Sequence, residues 1–417
     1  MLDSSIWEND IVRASARAGR IVLFEESARD GAQGKTLMDA ETRLRLARRT
    51  GEMFGDDGPR HVMFAAGFPS ACKEEFEITR RVALEAENVS STCICRGTPK
   101  DIDTAIAAMS GAPHGRIMYF LPGSEAVSQA LLKKSAKESV DRAVAMGEYA
   151  LERADGLAID MAFSHSPQAD RELLIEAVSR LTQAGVASVQ LADTVGGVLP
   201  PQAFELYTDV IRRADPQALV MAHLHNDLGL GLANTLQAIR AGVRIVASSW
   251  LGLGERSGMA CTEQLLFLLA YAPERLPTLI GETGPLWWTQ PDLTVIPELA
   301  GLVSEQTGTP LKVTDPLVGS GVGTISTGTP FVDRSLFQPY DPETLLGISA
   351  QIVLTQLASD RVVGAAADSM GIKLDADQIR IATQWVKSEA FRRGEAVVPP
   401  ESFRVFTDGL LAQEPTA

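Results

Sequence analysis

The chain has 417 residues, 45% hydrophobic and 22% charged, with 35 glycines and 22 prolines. That is enough apolar surface for a large core, and it excludes disordered, collagen-like and low-complexity chains. A net charge of −15 argues against nucleic acid as a partner, although a small basic pocket for an anionic substrate remains compatible with it.

The chain alternates short apolar runs with longer amphipathic ones. Strands are predicted at 21–25, 61–66, 89–95, 116–120, 157–162, 186–191, 219–224 and 243–249. Each is free of proline, as strands buried on both faces should be. Helices are predicted between and after them, at 38–54, 73–86, 101–110, 136–153, 170–184, 201–214, 229–241 and 260–271, all rich in good helix formers. Asp170 and Pro201 mark two helix starts. Cys93 and Cys95 share one face of the third strand and read as buried structural thiols, and four cysteines in all make no disulfide framework.

Eight βα units in about 250 residues match a closed (β/α)8 barrel, with an open doubly wound sheet as the alternative. The rhythm breaks at the proline-rich stretch 273–291. The expected division is a catalytic barrel over 1–280 and a smaller, mostly helical C-terminal region over 281–417. That region should hold helices near 293–307, 342–358 and 375–394. Its Gly/Thr-rich segment, 319–329, reads either as a mobile loop or as a linker. The start MLDSSIWENDIVR has no apolar signal region, and no apolar run nears the roughly 18 residues of a membrane span. A cytoplasmic protein with no membrane partner is the expectation.

In such a barrel, chemistry lies at the C-terminal ends of the strands. The first strand is followed by ARDGAQG (28–34), which sets Arg29 beside Asp30. The sixth ends in LADTVGG (191–197), with the Thr194 hydroxyl. The seventh ends in HLHND (223–227), where the period of two aims His223 and His225 the same way. The eighth is followed by GLGERSGMA (252–260), with Glu255 and Arg256 between glycines. Strands 1 and 7 are neighbours across strand 8 in a closed barrel. Asp30, His223 and His225 can therefore converge on one divalent cation, leaving positions open for a chelating substrate. Arg29 would lie beside it to bind an oxyanion, which describes a Lewis-acid site for a 2-oxo acid.

ARDGAQG, LADTVGG, HLHNDLGLGLAN and GLGERSG, in this order, resemble the homocitrate synthase and isopropylmalate synthase family of metal-dependent lyase-type barrels. GFPS (67–70), CRGTPKDID (95–103), IPELAGLVSEQTG and PLVGSGVGTISTGTPF extend the likeness over nearly the whole chain. The resemblance implies Asp30, His223 and His225 as ligands of magnesium, manganese or zinc. It implies Arg29 polarising the 2-oxo group and Thr194 binding a carboxylate. The implied reaction is a Claisen-type condensation of an acyl-CoA, acetyl-CoA above all, with a 2-oxo acid, followed by thioester hydrolysis. The implied assembly is a homodimer. Gln33 and Arg256 complete the expected substrate-binding set, and Glu255 and His165 join Arg29 as expected catalytic groups.

The chain also departs from the family pattern. Met259 stands where many members have an asparagine ligand. Ile325 and Pro330 stand at two lid histidines, Ser164 near a barrel glutamate, and Met118 at a strand-4 histidine. His165, beside Ser164, is the candidate replacement base, expected within about 10 Å of the metal centre so that one substrate fits between them; a solvent-exposed loop histidine is the other reading. Two alternatives stay open: a lyase or aldolase cleaving a C–C bond next to a metal-bound ketone, and a catalytically altered 2-oxo acid binding protein. The usual thioester lyase has a cysteine in the strand-8 loop, where this chain has Gly254–Glu255 and only later Cys261.

Overall fold

The computed structural model describes residues 7–328, 330 and 336–412. Eight parallel strands close into a barrel in sequence order: β1 Val22–Glu25, β2 Val62–Gly67, β3 Ser90–Arg96, β4 Arg116–Pro122, β5 Ala158–Ser164, β6 Ser188–Asp193, β7 Val220–Leu224 and β8 Ile245–Ser248. Closure is direct, with β8 pairing β1 from Val22↔Ile245 to Glu25↔Ser248. Each predicted strand overlaps an observed one. The predicted helices appear as Ala40–Glu52, Lys73–Glu85, Pro99–Met109, Ala136–Leu151, Arg171–Ala184, Pro200–Arg213, Gly231–Ala241 and Thr262–Ala270. Their starts follow local chemistry: the carboxylates of Asp39 and Asp170 accept the N–H groups of Thr42 and Leu173, and Ser135 and Glu138 form a capping box.

Alternate residues fill the barrel. Phe24, Met63, Ala65, Ile94, Met118, Ala162, Met221, Ile245 and Ala247 form one buried cluster. Cys93 and Cys95 therefore point outward under the helices, where burial pushes both thiols above their ordinary range. The bottom of the barrel is charged. Arg116 donates two hydrogen bonds to Asp160, at 2.9 and 2.8 Å, and a third to Asp10, which caps the helix Ile11–Arg17. The sequence reading missed this helix, which is only two turns long and gives just Val12 and Ala16 to the barrel core.

The βα alternation ends near residue 280, but the chain divides by its contacts into Met1–Pro310 and Leu311–Ala417. The segment after the barrel folds back onto it: Trp287 lies 5.3 Å from the rings of Phe54 and His61, and Glu298 pairs with Arg45 and Arg49. In the second unit the helices Asp360–Ser369, Ala376–Arg393 and Pro400–Ala412 surround a core that includes Val362, Val386 and Phe403. The helix expected at 342–358 is confined to Pro342–Leu346. Gly347 ends it at φ +67°, and the β-branched run beyond forms the short strands Gln351–Ile352 and Leu354–Thr355. Within the Gly/Thr-rich segment, Thr324–Ile325 pairs with Gln351–Ile352; residue 329 lies outside the described residues. No described helix is long and apolar enough to cross a membrane.

Candidate active site

The centre is assembled from three loops. After β1 the chain turns tightly, because the carbonyl of Glu26 accepts the N–H groups of Arg29, Asp30 and Gly31. This begins the short helix Asp30–Gln33 and buries Asp30. His223 lies on β7, with His225 just beyond it in a bridge to Met259. The loop after β8 brings Gly254 so close that a Cβ there would lie 2.7 Å from Asp30 Oδ2.

Asp30, His223 and His225 each place one ligand atom within 4.8 Å of the others, and all three residues are buried. The ring partners set the tautomers. His223 Nδ1 faces Glu26 Oε1 at 2.7 Å, and His225 Nδ1 faces the Gly258 carbonyl at 3.0 Å. Both are acceptors, so each Nδ1 carries the proton and each Nε2 keeps its lone pair. The two Nε2 atoms then meet at 3.1 Å, an arrangement that calls for a positive charge between them, either a proton or a metal ion. Burial works against a charged His223, but the Glu26 carboxylate, by charge and hydrogen bond, holds it above its ordinary value. Burial and the His223 charge hold His225 below its own. Asp30 Oδ1 accepts from Arg29 Nη1 at 3.0 Å, while Oδ2 is buried with no hydrogen-bond partner. Two nitrogen lone pairs and an unsatisfied carboxylate oxygen suit a divalent cation.

A second group forms at the ends of β5, β6 and β8. Thr194 Oγ1 accepts the His165 N–H at 3.0 Å, and the Thr194 carbonyl accepts from Arg256. Arg256 also donates to both oxygens of Asp227, at 2.8 and 3.0 Å, and lies 3.3 Å from Glu255. His165 and Arg256 both adopt left-handed backbone, each at φ +57°, a conformation that side-chain-bearing residues hold mainly where surrounding contacts impose it. Partial burial depresses the His165 imidazole, with Asp193 opposing and Arg256 reinforcing the shift, and its Nδ1 is buried without a hydrogen-bond partner. The structure thus draws together Asp30, His223, His225 and Arg29, and separately Thr194, His165, Arg256 and Glu255. Gln33 is exposed at the end of its short helix. Met118 is barrel core, and Ile325 is buried in the second unit's two-stranded pair.

Sequence reasoning missed Glu26. Its signal was the period of two: Val22 and Phe24 face the barrel interior, so the next residue on that face, Glu26, points to the mouth while Glu25 points away.

The family model described as HMGL-like matches residues 20–303. The 2-isopropylmalate synthase of Nitratidesulfovibrio vulgaris is 27% identical, over 93% of this chain and 75% of that protein. The 2-isopropylmalate synthase of Synechocystis sp. is 29% identical, over 95% and 78% respectively. Among solved structures, the HMG-CoA lyase of Brucella melitensis superposes with a TM-score of 0.54 at 21% identity, over 69% of this chain and 99% of that one, a likeness of fold. The chain belongs to the HMGL-like family, and within it is similar over most of its length to 2-isopropylmalate synthases.

Proposed function

We propose that this protein is an acyl-CoA:2-oxo acid C-acyltransferase, condensing acetyl-CoA with a 2-oxo acid, and that Asp30, His223 and His225 hold the divalent cation it requires. The reading rests first on the paired Nε2 atoms facing the unpartnered Asp30 oxygen. The names of the relatives supply the reaction class. A cation bound there, magnesium, manganese or zinc, would act as a Lewis acid toward a chelated 2-oxo group.

The chain's own groups do the rest. Arg29, 18% exposed and tethered by Glu26 and Asp30, offers its free N–H groups to the oxygen on which charge develops. Thr194 keeps its hydroxyl proton for a substrate carboxylate, since the His165 N–H uses only a lone pair. His165, neutral at physiological pH because its imidazole is held low, takes the α-proton of the acyl-CoA. Arg256, with Glu255 beside it, orders the rim by tying Thr194 to Asp227, and Gln33 borders the opening from the β1 side. A homodimer working in the cytoplasm completes the proposal.

The deciding experiment incubates metal-loaded protein with a panel of 2-oxo acids and acetyl-CoA and follows free thiol. Thiol release that needs both substrates supports condensation. Cleavage of a hydroxyacyl thioester without condensation, or 2-oxo acid binding without turnover in either direction, would overturn it.

A further inference from the structure

We infer that Glu26 is a positioning residue, whose carboxylate fixes the His223 ring for the metal ion and the Arg29 guanidinium for the substrate at the same time. The inference rests on the proposed metal site. Glu26 is 1% exposed, and a buried carboxylate is expensive unless both oxygens are matched. Both are: Oε1 lies 2.7 Å from His223 Nδ1, and Oε2 accepts from Arg29 Nη1 at 3.1 Å. The same Nη1 reaches Asp30 Oδ1 at 3.0 Å. The side chains thus run from His225 through His223, Glu26 and Arg29 to Asp30, so one carboxylate spans the β7 ligand and the β1 ligand.

Two consequences follow from this geometry. An anionic acceptor on Nδ1 holds the proton there, keeping the Nε2 lone pair available and the ring more basic than a neutral acceptor would. The second consequence concerns charge. Asp30 and Glu26 against Arg29 leave one net negative charge, so a divalent cation brings the cluster to one net positive charge, matched to a singly charged 2-oxo acid. Without Glu26 the loaded cluster would carry two, and Arg29 would keep only its Asp30 tether, held less firmly in the oxyanion position.

The test compares the full chain with Glu26→Gln and Glu26→Ala. Co²⁺ is titrated into metal-stripped protein and followed by its visible absorption, and KM and kcat are measured separately with the 2-oxo acid that the wild type turns over. The glutamine variant keeps the side-chain volume, but its amide serves as acceptor for only one of His223 and Arg29. Co²⁺ binding should weaken about tenfold in Glu26→Gln and up to about 100-fold in Glu26→Ala, with an altered absorption band. KM for the 2-oxo acid should rise more than kcat falls. Co²⁺ affinity, band and KM all unchanged in Glu26→Gln would overturn the inference, even if Glu26→Ala fails to fold. Failure of the wild type to bind Co²⁺ at all would instead remove the metal site on which the inference stands.

Discussion

Replacing Glu25 by glutamine is expected to stabilise the protein at alkaline pH and to leave it nearly unchanged in acid. Glu25 is the last residue of β1 and fully buried, one residue before the carboxylate that faces the mouth. Its Oε1 accepts the N–H of Ser27 at 3.0 Å and the Ser27 hydroxyl, which in turn accepts the N–H of Trp250 at 2.7 Å; Oε2 is buried with no hydrogen-bond partner. Burial pushes this carboxyl from 4.5 up to about 7, and the Glu26 charge adds to the shift although the Ser27 bonds oppose it. The folded state therefore holds the proton more tightly than the unfolded one. The stability this provides is intact below about pH 4.5 and is lost as pH rises through about 7. The full loss is about 3 kcal/mol. Glutamine has no proton to lose and keeps an acceptor for Ser27. Thermal or urea unfolding of both proteins, followed by circular dichroism from pH 5 to pH 8.5, should show the variant gaining on the wild type by up to about that amount. Parallel pH profiles would refute the reasoning, because they would mean that Glu25 ionises as readily in the folded protein as in the unfolded chain.

Gly254→Ala should weaken Mn²⁺ binding by at least about tenfold, since its Cβ would crowd Asp30 Oδ2 at 2.7 Å; calorimetric titration giving wild-type affinity would show that the β8 loop yields instead. His165→Ala should lower kcat about 100-fold while calorimetry still detects 2-oxo acid binding, and full turnover in that variant would pass the proton transfer to another group.

Much of this protein is legible in its sequence. Eight apolar runs separated by amphipathic segments specify a (β/α)8 barrel, because a parallel strand must be apolar on both faces and its crossover helix on only one. Strand-end position and barrel closure together point to Asp30, His223 and His225, since the period of two puts both imidazoles on one face and strands 1 and 7 flank strand 8. What depends on non-local contacts was not legible. The helix expected at 342–358 stops at Leu346, where a left-handed glycine and strand pairing with Thr324–Ile325 override local propensity. The cluster of Asp10, Arg116 and Asp160 joins segments too far apart for any local pattern to announce. Glu26 and His223 are 197 positions apart, and neither residue type specifies the other. Only closure of β8 on β1 brings them within hydrogen-bond distance, because a burial period along one strand says which way a side chain points but not what it meets.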